Sequence, residues 1–257
     1  HVFMEKGVQN AFSPGRNSGV RVMSGLGNKR VRWSAGAFYD WDNTGSRVDE
    51  DAYNFTARVT GTPIFDKDNK RLIHIGGAYN YRHLGEAGIR FRRRPESHLA
   101  PRLVDTGDLA ANDANIIGTE AALVLGPFSL MGEYMVADVD TTEVPDPTFD
   151  GYFVQASYFL TGESRPYSKP RGSFHRVQPH RNFRGKEGGI GAWEIAARYS
   201  AIDLEETEIP GGEMDVITVG LNWYLNPNTK VMTNYILADL DGVGDTHIAQ
   251  MRFQVEL

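Results

Sequence analysis

Arg90, Arg92 and Arg94 stand at spacing two, with Arg93 between the last pair. In an extended backbone, residues i and i+2 share a face about 6.5–7 Å apart. The run therefore presents three guanidinium groups in a row and turns Arg93 the other way. Guanidinium stays charged and offers a planar donor fork suited to phosphate oxygens. A row of forks lets an anion exchange hydration water for one donor after another. Several moderate sites conduct better than one tight site, because the ion must also leave. A second basic stretch holds Arg165, Lys169, Arg171, Arg176, Arg181, Arg184 and Lys186. For a lone cluster the alternative is a solvated loop or a lipopolysaccharide-binding patch.

Nothing else assembles a reaction centre. No Cys is present, which excludes disulfide scaffolds, Cys-ligated zinc, iron–sulfur clusters and thiol catalysis. His74 lies on an inward strand position, whereas His83, His98, His175 and His180 fall in basic links, and no HExxH spacing occurs. Glu120 and Glu133 project inward from neighbouring strands. They can be read as a glycosidase pair, but counter-ions for Arg suit them better. No GxSxG, Walker loop or GxGxxG is found, and the glycine-rich run 185–189 leads into a strand. Net charge is −6, which disfavours nucleic acid. No enzyme activity, cofactor or metal is expected.

The elements that must position these arginines alternate with period two. Val31, Trp33, Ala35, Ala37, Tyr39 and Trp41 form one face, opposite Arg32, Ser34, Gly36, Phe38 and Asp40. The pattern recurs at 53–60, 73–81, 117–125, 128–136, 152–160, 193–201, 217–225, 231–237 and 251–257, and more weakly at 15–25. This predicts about eleven strands of roughly ten residues, each with an apolar and a polar face. Tight turns at 25–28, 126–127 and 226–228 alternate with longer acidic links at 42–51, 138–150 and 203–213. A short helix is expected only within Ser97–Ala114. A soluble β-sandwich uses shorter strands and Val, Ile and Leu faces. Here the apolar faces are rich in small residues with aromatics towards the strand ends. Long strands, aromatic girdles and alternating short and long links predict an antiparallel transmembrane β-barrel. Met251, Phe253, Val255 and Leu257 end the chain as a terminal amphipathic strand. No leader precedes His1, so secretion is neither visible nor excluded.

Charge is uneven within this frame. Residues 82–102 and 162–190 together carry net +9, and the other 207 residues −15. Counting back from a periplasmic C-terminus, 84–113 is an external loop and 162–190 a periplasmic turn. Both are expected to fold into the lumen, one from each mouth. Two basic segments converging on one pore favour anion conduction over the lipopolysaccharide patch.

These segments resemble the phosphate-selective porin O and P family. The matching stretches are Phe3–Lys6, Ser13–Asn17, Arg90–Glu96, Thr161–Glu163 with Arg165–Tyr167, Gly191–Glu194 with Ala197–Ser200, and Leu221–Pro227. They span essentially the whole chain, and their order and spacing carry the likeness. The resemblance implies a 16-stranded outer-membrane barrel, trimeric, with an arginine ladder guiding anions to a narrow zone. It implies that Arg90, Arg92 and Arg94, with Arg93, are that ladder. It further implies that Lys169, Arg171, Arg176, Arg181, Arg184 and Lys186 line the inner vestibule. Residues 1–257 are then one barrel domain lacking about five N-terminal strands, and 1–14 an inward-folded loop. The expected role is passive diffusion of small anions, phosphate or polyphosphate, across a bacterial outer membrane, in contact with its lipid and lipopolysaccharide. A general porin with little selectivity, or a soluble β-sandwich binding module, remains the alternative.

Overall fold

A computed structural model describes residues 1–39, 51–68, 70–184 and 188–256. The expected link 42–51, as far as residue 50, lies outside the described residues, as do Trp41, Lys186 and Leu257. A short 3-10 turn, Val8–Ala11, opens the chain, and among the described residues no helix is long and apolar enough to cross a membrane. Fifteen strands follow: β1 Ser18–Leu26, β2 Val31–Tyr39, β3 Tyr53–Asp66, β4 Arg71–His83, β5 Arg92–Arg93, β6 Val104–Asp105, β7 Ala111–Leu125, β8 Phe128–Thr141, β9 Thr148–Phe159, β10 Tyr167–Ser168, β11 Ser173–Phe174, β12 Ala192–Glu206, β13 Ile209–Asn226, β14 Thr229–Leu240 and β15 Gly244–Val255. Eleven of them form one antiparallel meander in the order β1-β2-β3-β4-β7-β8-β9-β12-β13-β14-β15. Two small pairs, β5-β6 and β10-β11, lie within the two basic links. Among the described residues β1 pairs with β2 and β15 with β14, with no register pair joining β1 to β15.

All eleven expected strands are present, and most run longer than the alternation suggested. The acidic link 203–213 is a correction. β12 and β13 continue as a hairpin to Glu206 and Ile209, with a bulge between Asp203 and Glu205. The link at 138–150 similarly shrinks to residues 142–147. Acidic side chains at these positions are solvated while their backbone groups stay paired, so polarity did not mark a strand end. No helix forms within 97–114; β6 and the start of β7 occupy its second half. In β3 a register shift between Gly61 and Ile64 accommodates Pro63, which has no N–H for the ladder.

The two faces of the sheet are inverted relative to a soluble protein. One row carries Val154 at 49% exposure, Ile217 at 48% and Ile195 at 45%, all apolar. The opposite row carries Asn54, His74, Asn80, Glu194, Arg198, Thr218 and Asn222, each 5% exposed or less. Outward aromatics fall in two bands. Trp33, Tyr158, Trp193, Trp223 and Phe253 mark the short-turn end; Tyr79, Tyr134, Tyr152, Tyr199 and Tyr235 mark the other. Along β12 the spacing from Trp193 to Tyr199 is ~20 Å, comparable with an apolar band of about 25 Å.

Three segments cover the inner face: residues 1–13, 84–110 and 161–178. At the long-link end this face turns apolar. Phe12, Phe91 and Phe149 stack edge-on at 5.1 and 5.8 Å. Around them pack Leu84, Val104, Ile202, Leu204, Met214 and Ile236, all buried. The inner face is therefore polar along most of its length and dry at one end.

Candidate functional site

The pairing of Arg92 with Asp105 and Arg93 with Val104 sets the geometry of the first basic segment. Phe91 is buried in the aromatic cluster, so strand alternation sends its neighbours Arg90 and Arg92 outward to solvent. Arg90 is not free there. Its Nε and Nη2 donate to the two carboxylate oxygens of Asp105 at 2.6 and 2.7 Å, and Nη1 reaches Asp108 at 3.3 Å. This fork raises the Arg90 pKa and holds the Asp105 carboxyl below its usual range. The Arg92 side chain is exposed and makes no hydrogen bond or ion pair among the described residues, though the Asp105 carboxylate acts on it at longer range. Arg93 faces inward and donates to the carbonyls of Lys6 and Gly7 at 3.2 and 3.1 Å. Burial lowers its pKa, and its Nε is buried without a partner.

Arg94 leaves the row. It donates to the carbonyls of His98, at 2.5 Å, and Ala100. Pro95 ends the strand, and Glu96 takes a left-handed φ of 52°. That turn drives the Glu96 carboxylate into the wall, where it is 2% exposed. It accepts from Arg198, from Ser200 at 2.5 Å and from Thr218 at 2.6 Å. Arg198 also donates to the Glu5 carbonyl at 3.2 Å and lies 4.5 Å over the Phe3 ring. One side chain thus ties two inserted segments to β12.

A second buried pair anchors the other link. Arg165 binds Glu194, which also accepts from Tyr224 at 2.8 Å and Asn222 at 3.1 Å. Arg165 reaches Ser157 at 3.3 Å as well. Removing one partner of such a pair costs about 3–5 kcal/mol, because the other charge stays buried. Arg-Pro-Glu, Arg-Pro-Tyr, Trp-Glu and Arg-Tyr-Ser all lie within the stretches that carried the family resemblance. Their side chains supply these anchors. The sequence reading missed this role; its one available signal was a charged residue at an inward position of an otherwise small-residue strand.

From Arg165 the link reaches across to β2–β4. Tyr167 Oη meets His74 Nδ1 at 2.7 Å, and His74 Nε2 meets Glu120 at 2.6 Å. Burial pushes the Tyr167 hydroxyl up to about 12. Glu120 also accepts from Arg58, so it is an Arg counter-ion as expected. Glu133 instead takes the Gln9 amide at 3.4 Å. Lys169 sits 4.9 Å over Phe65. Arg176 returns to Asn228 at 2.5 Å and Glu256 at 3.1 Å. A cavity of about 1080 Å³ remains between this link, residues 1–13 and the wall. Lys6, Arg171, His175 and Arg176 line it, with Glu133 and Glu256.

The rest of the link leaves the inner face. Phe183 packs 4.8 Å from Trp223, which stacks on Trp193 at 5.1 Å in the outward row. Arg184 lies 5.3 Å over Phe183, and Arg181 is exposed beside this turn. The ten basic residues expected to form one pathway are therefore not all brought together. Arg171 and Arg176 border the cavity, Arg92 is exposed beside Asp105, and Lys186 lies outside the described residues. Arg90, Arg93, Arg94 and Lys169 are engaged, and Arg181 and Arg184 stand at the outer rim.

The model of the family described as phosphate-selective porin O and P matches residues 2–257. An uncharacterised protein of Caulobacter vibrioides is 31% identical over 198 residues, covering 76% of this chain and 39% of that protein. Porin O of Pseudomonas aeruginosa is 28% identical over 232 residues, covering 79% of this chain and 50% of that protein. The chain spans half the length of these curated relatives, or less.

Proposed function

The chain belongs to the phosphate-selective porin O and P family, and on that premise we propose that it forms part of a trimeric channel for passive diffusion of anions, phosphate or polyphosphate. Its place is the bacterial outer membrane, and it is a porin, not an enzyme. The eleven strands close into a 16-stranded barrel with strands supplied elsewhere in the longer protein, because a sheet edge facing lipid leaves backbone groups unpaired. Residues 84–110 and 161–190 are the segments that narrow its lumen, the first from outside and the second from the periplasm.

The observation that carries this reading is the inverted sheet: an apolar outer row over a polar inner row that encloses a cation-lined cavity. In the ladder, Arg92 offers an uncommitted donor fork, followed by Lys6 and Arg171 at the cavity. Arg90, Arg93 and Arg94 hold the segment that presents Arg92. An anion passes by exchanging water for these donors in turn, and the polar wall keeps the path wet. Reversal potentials across a planar bilayer test this with the full-length protein. Arg92→Ala is expected to lower the anion-to-cation permeability ratio severalfold, and an unchanged ratio rejects the ladder. The second reading is a weakly selective porin. It draws on the carboxylates that occupy most inward arginines and on Glu133 and Glu256 at the cavity, and it expects a wild-type ratio near one.

A further inference from the structure

Residues 181–184 and 188–190 stand apart from the anion pathway. They belong to a link that crosses the inner face, yet they end against the outward row of β12 and β13. Phe183 N–H donates to the Leu225 carbonyl at 2.7 Å, and the Trp223 indole donates to the Ile190 carbonyl at 2.8 Å. Arg184 takes a left-handed φ of 49° and its N–H meets the Gly189 carbonyl at 3.1 Å. The Arg181 side chain lies against Gly189, where an added Cβ would come within 2.5 Å. The backbone thus fixes where Arg184 stands: stacked on Phe183, which is stacked edge-on to the Trp193–Trp223 pair.

The surroundings define the partner. Below the turn the outward row continues with Ile195 and Leu221, 45% and 41% exposed, and Ile190 is 64% exposed. Trp pairs of this kind sit at headgroup depth. Arg181 and Arg184 are exposed and have no carboxylate partner among the described residues. Glu163 is committed to Thr161 and His180, and Glu256 to Arg176. A guanidinium with no carboxylate partner among the described residues, at the rim of an apolar wall, complements a phosphate whose acyl chains lie along that wall.

We propose that Arg184, with Arg181 and the Phe183–Trp223–Trp193 stack, docks the phosphate headgroup of an anionic phospholipid in the leaflet at the short-turn end. The inference rests on the outer-membrane location and not on anion conduction. The headgroup accepts from the guanidinium fork while its chains cover Ile195 and Leu221. Bound lipid braces the end of the link whose beginning crosses the polar face.

Native mass spectrometry of the full-length protein tests this, after release from nanodiscs of equal phosphatidylglycerol and phosphatidylcholine. Wild type is expected to retain phosphatidylglycerol about fivefold over phosphatidylcholine, the scale for one basic side chain held at an anionic surface. Arg184→Gln should bring the ratio towards one, and Arg184→Lys should keep part of the preference. Arg181→Gln, further from the stack, gives a smaller loss and stands in should Arg184→Gln not fold. Equal ratios in wild type and the Gln variants overturn the proposal. An unchanged ratio with a dissociated oligomer also overturns it, by making a second copy of the chain the occupant.

Discussion

The two basic links have similar composition and opposite architecture. Residues 84–110 fold on themselves. Their arginines meet Asp105, Asp108 and backbone carbonyls, and an apolar cluster around Phe91 fills the space beneath. Residues 161–190 instead stretch across the molecule, fixed at Arg165, Tyr167 and Arg176, and leave a cavity alongside. Positive charge therefore has three uses here. It staples inserted chain to the wall, as Arg165 and Arg198 do. It lines the inner space, as Arg171 and Lys6 do. It faces outward, as Arg184 does. A count of basic residues does not distinguish these uses; the partners of each side chain do.

Severing the staples tests the contrast most severely. Glu96→Ala leaves Arg198 buried with no carboxylate, and Glu194→Ala does the same to Arg165. Each is expected to lose about 3–5 kcal/mol of stability, read by denaturant unfolding of the refolded protein. Glu96→Ala should also raise open-channel current noise, because residues 84–110 lose their grip on β12. A silent Glu96→Ala would mean that the apolar cluster alone holds that link.

Releasing a neutralised arginine gives a smaller effect of opposite sign. Asp105→Asn leaves Arg90 only its 3.3 Å contact to Asp108 and removes the carboxylate charge that Arg92 faces. Anion selectivity is expected to rise by about twofold to threefold in reversal-potential measurements, on the scale of a rim charge worth under about 1 kcal/mol. Acid should mimic the substitution. The Asp105 carboxyl is held below the usual value of 3.8 by its bond to Arg90. The pair's contribution is thus complete above the unfolded value and is lost as pH falls through the lowered one. The Asp105 share of the rise should come only as pH falls below 3.8, through the lowered value, so selectivity should climb further in wild type than in Asp105→Asn over that range.

The smallest change concerns the far end of the second link. Tyr167→Phe removes the bond to His74 and should cost about 1 kcal/mol, with a modest change in single-channel conductance. His74→Gln should behave alike if the bond, and not the ring contact, holds the hairpin. Divergent results from the two variants would assign the tether to stacking.

Much of the fold was legible because alternation is a local property. Ile217, Val219 and Leu221 fall on one face wherever the strand lies, and the eleven strands followed from such rows. Strand ends were less legible. Asp203 and Glu213 read as a loop because acidic residues mark solvent, yet a hairpin rising into solvent keeps its backbone pairs. The ladder was legible only as spacing. Arg90, Arg92 and Arg94 alternate in sequence, but Pro95 and the left-handed Glu96 turn the chain before a third rung forms. The partners of Arg90 lie fifteen and eighteen residues away, so no local pattern reveals them. Arg184 shows the same limit, since Trp223, on which its neighbour Phe183 packs, comes from a strand that the link itself precedes.

Besides the buried side chains of Val2, Phe3, Val8 and Phe12, the strap formed by residues 1–13 is gripped at several points by its main chain. Asn222 holds the Val2 carbonyl, Arg252 that of Met4, Arg198 that of Glu5, and Arg93 those of Lys6 and Gly7. Every residue type supplies that oxygen, so the clasp is indifferent to what the strap displays. Lys6 faces the cavity from such a position. Exchanging it rewrites what a passing solute meets while the fastening stays shut, which makes this strap a site where new solute preferences can evolve without a new fold.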